Sequence, residues 1–592
     1  MMIDTSPISS PQPAATNPAA YLKGEKYLWK LPPADMGPVV QISIDHSIAL
    51  PIAQVLYNRG YTTPQAITDF LFTLHERDVH DPRLLKGAQI AADRILQAIE
   101  RKEKILIAGD YDVAGVTSSS VMLMALWPLG GLVNYFLPNR ARDGYGLSAK
   151  TVTRAAENGY KLIITVDNGI SAHEAADEAE RLGIDLIITD HHRPHGKLPK
   201  ALAIVNPNQD DCPYPYKYFA GVGVAFKLMA LIYEMIGKTL PEKVLEMVTL
   251  GTIADVVPLT GENRYWVREG LRSINKQHSY SLAVLAANNS LNKSSMNSLD
   301  IGFMIAPQIN ALGRLDDSRE AVKFLVSSDQ ADVDRVGGIL KTMNEERKKI
   351  DRAIFEEIEM AIINKQIDLD KDKMIVASHH AWPAGVIGLV AGKLMHQFGR
   401  PTILFHHDRE NGIVKGSCRS IPEFDIFNAL VSCKDLLLSF GGHSFAAGLK
   451  LHEKDVPELK NRIETLIIQQ VDPFDLQSKI TLDASLELGD MNGKLLHDMN
   501  SLEPFGNRNP QPTFFIRQVS QLKKPQLLKD KHVKTMVFAD GVIKPLVFFN
   551  RPELYRVLHQ LEDKPFSLAA NVTVNEWQER TNIELLGIDI AL

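Results

Sequence analysis

The sequence predicts an α/β protein of several domains: a parallel sheet with helices on both faces, a long helix leading to a smaller α/β unit, and a small OB-like β-barrel at the end. Three observations predict it. Short apolar, β-rich runs alternate with amphipathic segments through the first half of the chain. Apolar residues spaced by three and four continue over residues 330–366. From about residue 474 that spacing gives way to strands and turns. At 592 residues the chain is too long for one core, so about three or four domains are expected.

Residues 1–26 open with "MMIDTSPISSPQPAATNPAA", which has neither a basic segment nor an apolar core and reads as a disordered tail, not a signal peptide. Residues 27–100 form a helical lead-in, with "SIALPIAQVLYNRGY" and "KGAQIAADRILQAIERKEK" as its clearest helices. Residues 101–320 carry the alternation. "KILIAG", "LVNYFL", "KLIITV", "DLIIT" and "LAIV" are strands, and "SAKTVTRAAENGY" and "SAHEAADEAERLG" are helices between them.

Over residues 321–366 the spacing of Val333, Val336, Ile339, Leu340, Met343, Ile350, Ile354 and Ile358 predicts one connector helix, with Gly337-Gly338 as its weak point. Residues 367–468 repeat the α/β pattern in "KMIVASHH", "GVIGLVAGKLMHQFG" and "PTILFHH". Residues 469–592 form the barrel, from "KITLDASLEL" through "TFFIRQVSQL" and "KTMVFADG" to "FSLAANVTV".

Composition excludes several classes. Hydrophobic residues make up 45% and charged residues 23%, which is ordinary for a folded protein. A net charge of −6 offers no global attraction for nucleic acid, so any such binding rests on local basic surface. Cys212, Cys418 and Cys433 are too scattered for a disulfide framework or a zinc cluster and fit a reducing, cytoplasmic setting. The most membrane-like run, from Val121, is broken by Pro and Gly-Gly and falls short of the roughly 20 residues a span needs.

In an open parallel sheet, ligands collect at the carboxyl ends of the strands. Asp110 and Asp112 follow the first strand, Asp167 follows "KLIITV", and Asp190, His191 and His192 follow "DLIIT", while "GTIADVVPL" supplies Asp255. A single Asp after a strand is more often a helix cap or turn former. Three successive strands ending in acid point instead to metal, and a carboxylate-rich set with little imidazole suits Mn²⁺ or Mg²⁺. The pairs His379-His380 and His406-His407 also follow strands, but neither has a series of acids on neighbouring strands, so they read as surface or substrate-contacting residues and not as ligands.

With "GDYDVAG", "RARDGYGLS", "VDNGIS", "TDHH", "GTIADVVPL", "NALGRLDD", "AGVIGLVAGKL", "GSCRS", "GGHSFAAG" and "LEPFGNRNPQP" in this order, the chain from about Tyr27 onward resembles the DHH phosphoesterase superfamily, in its bacterial single-stranded-DNA exonuclease branch. The resemblance implies a DHH domain, a DHH-associated domain and an OB-like nucleic-acid-binding domain. It implies two Mn²⁺ or Mg²⁺ ions held by Asp110, Asp112, Asp167, His191 and Asp255, with Asp167 bridging. Asp190 and His192 would complete the shell and join Asp167 in catalysis. Arg140, Ser417 and Arg419 resemble a 5′-phosphate pocket, and Asn310, Arg314 and His443 are further substrate-binding candidates. Two glycines before His443 would permit close backbone approach to a ligand.

In the barrel, Arg517, Lys523, Lys524, Lys529, Lys531 and Lys534 form a basic rim for a single strand, with Trp577 available for stacking. The implied activity is 5′ to 3′ hydrolysis of single-stranded DNA to mononucleotides, in recombination and repair. The implied partners are single-strand-binding protein and a RecQ-type helicase, with no membrane.

Two positions depart from the family. Ala114 stands where an acid is expected, and Gln308 where an arginine is expected. Ala114 removes a carboxylate, or a cap, near a helix starting at about Val116, and the question it leaves is one of rate. Two alternatives stand beside the main reading: a phosphodiesterase of short oligonucleotides or cyclic dinucleotides, and a non-catalytic single-strand-binding scaffold.

Overall fold

A computed structural model describes residues 20–592 apart from 140–142, 195, 292, 294, 316, 409–410, 562–563 and 578–579, and apart from the side chains of 315, 575–577, 580 and 581. The chain divides into two compact units. One holds residues 73–350 and 503–510; the other holds residues up to 72, 351–502 and 511–592.

The first unit is built on five parallel strands: β1 (Lys104–Ala108), β2 (Leu132–Phe136), β3 (Tyr160–Val166), β4 (Asp185–Thr189) and β5 (Ala203–Val205), in the order β2-β1-β3-β4-β5. The apolar runs of β1, β3 and β4 are buried on both faces, as a helix-covered parallel sheet requires. Strand order reverses between β1 and β3, so a crevice opens where those two strands end.

Helix α1 (Val113–Leu126) leaves β1 and is buried along almost its whole length. Its "TSSS" run survives burial because Thr117, Ser118, Ser119 and Ser120 each donate to the carbonyl four residues earlier, at 2.5–2.8 Å. Helices α2 (Ala149–Glu157) and α3 (His173–Leu182) follow β2 and β3, while α4 (Gly221–Met235) and α5 (Lys243–Ala254) pack with α1 in the main core. Helix α6 (Ala306–Leu315) precedes α7 (Gln330–Ile363), which runs unbroken through Gly337-Gly338. Gly337 is a close-packing position, since a Cβ there would lie 2.4 Å from the Val284 side chain.

In the second unit, β6 (Ile375–His379), β7 (Thr402–Asp408), β8 (Ile413–Arg419), β9 (Leu437–His443) and β10 (Ala446–His452) form a sheet ordered β9-β10-β8-β7-β6. Helix α8 (Ile387–Phe398) joins the parallel pair β6 and β7, and the remaining pairs are antiparallel. The barrel follows, with β11 (Ala484–Ser485), β12 (Phe514–Gln521), β13 (Gln526–Leu528), β14 (His532–Ala539), β15 (Val542–Phe548), β16 (Phe566–Trp577) and β17 (Arg580–Ala591). Pairing of Ser520 with Phe538 and Gln521 with Val537 closes β12, β16, β17, β15 and β14 on themselves.

Three sequence boundaries move. Strand pairing reaches into the expected tail, because Tyr21–Lys23 pairs with Leu28–Lys30, which in turn pairs with Lys479–Thr481. This small sheet is fixed by Asp589 of β17, fully buried, which accepts from Lys26 N, Tyr27 N, Trp29 Nε1 and Arg551 Nη2 at 3.0–3.2 Å. The lead-in splits near residue 72, and residues 503–510, expected in the barrel domain, belong to the first unit. Leu259 N donates to Asn507 O there, and Ser298 Oγ donates to Phe505 O.

Candidate metal centre

The centre grows from the ends of β1, β3 and β4. Beyond β1, a Cβ on Gly115 would lie 2.4 Å from the Asp110 carbonyl oxygen, so glycine lets the first turn of α1 pass against Asp110. Asp112 caps that helix, with Oδ1 accepting from Ala114 N at 2.9 Å and Gly115 N at 3.1 Å. The helix therefore starts at Val113, not near Val116, and Ala114 is its buried second residue. The cap expected from an acid at 114 is already supplied two residues earlier.

After β3, Asp167 adopts a left-handed φ of 63° and is buried. A Cβ on Gly221, the first residue of α4, would lie 2.2 Å from Asp167 Oδ1, which makes glycine necessary at that approach. After β4, His191 Nε2 lies 3.3 Å from Asp167 Oδ1 and 3.5 Å from Asp255 Oδ2, which arrives from the end of α5. Asp110, Asp112 and Asp167 bring ligand atoms within 4.8 Å of one another, and so do Asp167, His191 and His192. Asp167 is common to both sets, the position a bridging carboxylate needs.

Asp110 Oδ1, Asp167 Oδ1, His191 Nε2 and Asp255 Oδ2 are all enclosed and have no hydrogen-bond partner among the described residues. Each unsatisfied buried polar atom costs about 1–3 kcal/mol, and more if charged. Three carboxylate oxygens and one imidazole nitrogen converging in this way fit hard divalent cations such as Mn²⁺ and Mg²⁺.

The electrostatics agree. Burial, reinforced by Asp112 and Asp167, pushes Asp110 well above the usual carboxylate range. Burial, then Asp112 and Asp255, does the same to Asp167. Burial raises Asp255 to about 6 against the opposing pull of His191. A cation relieves all three.

Asp190 behaves differently. Its Oδ1 accepts from His191 N, His192 N and His192 Nδ1, the last at 2.7 Å, and its Oδ2 accepts from Ile170 N at 2.9 Å. Burial opposes charge at Asp190, but the hydrogen bond and charge of His192 outweigh it and hold the carboxyl below its usual range. Burial likewise works against charge on His192, and the Asp190 bond overrides it and raises the imidazole. Asp190 thus orients His192 where a place in the metal shell was expected, because its oxygens are committed to protein donors.

Two sets of supporting residues were not singled out in the sequence. Buried Asn168 donates to Ala108 O and Val166 O and accepts from Leu147 N, tying β1, β3 and the loop before α2 together. Asn206 and Asn208, in "NPNQD", donate to His192 O and His191 O at 2.9 and 2.6 Å. Their only sequence signal was a polar cluster after a strand.

The substrate-binding candidates fall in several places. Arg140 lies outside the described residues. Asn310 Oδ1 accepts from Val113 N at 3.1 Å, so it braces the loop that carries Asp110 and Asp112, and Arg314 sits half-buried in α6. Gln308 is a satisfied core residue, donating to Leu285 O and Met304 O and accepting from Asn288 Nδ2. In the second unit Arg419 Nη1 lies 3.3 Å from Ser417 Oγ, and Gly388 of α8 lets both come close, since a Cβ there would lie 2.7 Å from Ser417 Oγ. His443 is exposed at the end of β9. Gly442, at φ 146°, serves close approach to Ala446 and Ala447 of β10, where approach to a ligand was expected.

His406 Nδ1 lies 2.8 Å from Trp382 O, and His407 Nδ1 is 3.4 Å from Glu453, so those imidazoles have structural partners. On the barrel, Lys523, Lys524, Lys529 and Lys531 are exposed, and the Arg517 guanidinium lies over Phe515 at 5.3 Å. The Trp577 side chain is outside the described set.

Three segments of the chain match known protein families. Residues 104–252 match the DHH family, N-terminal domain; residues 371–469 match the DHHA1 domain; residues 482–589 match the RecJ OB domain. The single-stranded-DNA-specific exonuclease RecJ of Bacillus subtilis is 37% identical, over 96% of this chain and 71% of that protein. Its counterpart from Dickeya dadantii is 33% identical, over 93% of this chain and 97% of that one. The crystal structure of Thermus thermophilus RecJ in complex with Mn²⁺ has a TM-score of 0.78 at 27% identity, over 95% of this chain and 79% of that one. The Mg²⁺ complex of the same protein gives 0.72 at 25% identity, over 95% and 78%.

Proposed function

This chain belongs to the RecJ family of single-stranded-DNA-specific exonucleases, and from that premise we propose that it hydrolyses the phosphodiester bonds of single-stranded DNA with two Mn²⁺ or Mg²⁺ ions. The observation that carries this reading is the convergence of four enclosed, unpartnered ligand atoms on Asp110, Asp167, His191 and Asp255.

Asp110, Asp112, Asp167, His191 and Asp255 would hold the ions, with Asp167 shared between them. Bound there, the ions lower the pKa of an attacking water and screen the charge of the phosphodiester. Asp190 fixes His192 through Nδ1, so the other ring nitrogen faces away from that bond and can hand a proton to the leaving oxygen. No protein nucleophile is required.

Attack from the 5′ end with release of mononucleotides is the direction we favour. Ser417 and Arg419, held together beneath Gly388, offer a hydroxyl and a guanidinium fork for a terminal phosphate. The barrel's exposed lysines suit the backbone of the remaining strand. No single helix among the described residues is long and apolar enough to cross a membrane. A cytoplasmic role in recombination and repair, beside single-strand-binding protein and a RecQ-type helicase, accords with this chemistry.

The scaffold alternative would draw support from Ala114, but the ligand set is intact around it. The deciding experiment is degradation of a 5′-phosphorylated single strand with Mn²⁺ against the same protein in chelator. Release of mononucleotides only with Mn²⁺ is expected; no release, or cleavage confined to dinucleotides, would sink the reading.

A further inference from the structure

Tyr145 is an aromatic residue close to the carboxylates to which no role has yet been given. It stands between Gly144 at φ 85° and Gly146 at φ 70°, a backbone path that glycine adopts without strain. Asn168 fixes the loop, with its Oδ1 accepting from Leu147 N and lying 3.2 Å from where a Gly146 Cβ would be. The phenol donates to the main-chain oxygen of Asp167 at 3.3 Å. Its ring meets Tyr111 and His192 edge-on, with centroids 6.2 and 6.4 Å away.

Despite these ties the residue is 53% exposed. It forms one wall of a cleft of about 390 Å³ lined otherwise by mostly small residues such as Gly146, Gly169 and Ala172, together with Leu147, Ser148 and the acidic Glu174. That volume lies within the range of pockets that take small molecules. The ring is therefore immobilised at its edges and its hydroxyl, anchored to the ligand Asp167, and open toward the cleft. Such a surface carries no charge and no spare hydrogen-bonding group for phosphate. It suits a flat nucleobase.

We propose that Tyr145 is a substrate-positioning residue that carries, on its open side, the nucleoside flanking the scissile phosphodiester. This rests on the reading of the centre as a single-strand nuclease and adds the residue that seats the base. The hydroxyl only steadies the ring; the ring makes the contact.

The test is a cycle between residue and base. Wild type, Y145F and Y145L are assayed with Mn²⁺ on 5′-phosphorylated single strands that are intact or carry an abasic residue as the first or the second nucleotide. Y145L should raise KM on the order of tenfold, the size of one base–aromatic stack, with kcat much less changed. Y145F should recover most of that loss. One of the two abasic strands should cost wild type a similar factor and cost Y145L little. Mn²⁺ titration of Y145L against wild type separates a damaged centre from a lost platform, and equal affinities are expected. Additive losses at both abasic positions, or Y145F as impaired as Y145L, would overturn the assignment alone. Absence of cleavage by wild type would instead remove the nuclease reading, and the assignment with it.

Discussion

Two groups of buried carboxylates in this molecule have opposite surroundings. Asp589 in the barrel is fully buried, with backbone amides of Lys26 and Tyr27, the Trp29 indole and the Arg551 guanidinium all donating to it. Asp167 is buried to nearly the same degree, yet its Oδ1 faces His191 and has no hydrogen-bond partner among the described residues. Burial alone therefore says nothing of role. A carboxylate whose oxygens are met by protein donors is holding structure in place, while an enclosed carboxylate oxygen left without a donor is holding a place for a cation.

The sharpest way to break the comparison is to neutralise one acid of each kind. D167N keeps the shape and tolerates the left-handed backbone, since Asn is among the residues that adopt it readily. Mn²⁺-dependent cleavage should be abolished, while the metal-free protein should become more stable at pH 8, because a buried, repelled charge has been removed. D589N should do the reverse. It takes from the buried Arg551 guanidinium one of its two carboxylates, Glu553 being the other, and weakens the bonds from Lys26, Tyr27 and Trp29, so the loss should approach the roughly 3–5 kcal/mol typical of breaking a buried pair without exceeding it. Urea unfolding should show that loss, and kcat of the folded fraction should hold. If D167N destabilises the metal-free protein, or D589N leaves stability untouched, the division between the two kinds of acid is wrong.

A smaller effect follows from pH. The carboxyl of Asp255 is raised by burial to about 6 in the folded, metal-free protein, above its value of about 3.9 in an unfolded chain. A group with a raised folded pKa stabilises most below its unfolded pKa, and that contribution is lost as pH climbs through the folded value. Stability of the metal-free protein should thus fall between about pH 4 and pH 6 on account of Asp255. Asp110 and Asp167, raised well above the usual range, should extend the loss to higher pH. Cations displace these protons, so Mn²⁺ affinity should climb over the same interval, with proton release visible by calorimetry in buffers of different ionisation enthalpy. Affinity that stays flat from pH 5 to pH 8 would contradict the raised acids.

The acids at the strand ends were legible in the sequence because apolar runs mark strands and a parallel sheet gathers its strand ends at one edge. "DLIITDHH" against "PTILFHHD" was legible for the same reason: only the first has acid-bearing strands beside it. The division of labour inside "TDHH" was not, since spacing cannot tell which carboxylate turns toward backbone amides. Asp190 and His191 are adjacent, yet one orients His192 and the other faces Asp167 and Asp255. The exchange of residues 503–510 into the first unit was also invisible, because it is made by contacts such as Leu259 N to Asn507 O, which no local pattern encodes.

Ala114 gives the smallest and most specific prediction. Its amide and that of Gly115 are both capped by Asp112 Oδ1, so part of a metal-ligand candidate is spent on starting a helix. A carboxylate in the first turn of α1 would itself interact favourably with the helix N-terminus, by about 0.3–1 kcal/mol. A114D should therefore share the capping, leave Asp112 freer to face the ions and tighten Mn²⁺ half-saturation by roughly two- to fivefold. Ala114 is enclosed, so the added charge should also lower the stability of the metal-free protein. Tighter metal with a weaker metal-free fold is the paired signature to measure, by Mn²⁺ titration and by thermal unfolding in chelator. If half-saturation does not move, Asp112 was never limited by its capping duty, and Ala114 is packing and nothing more.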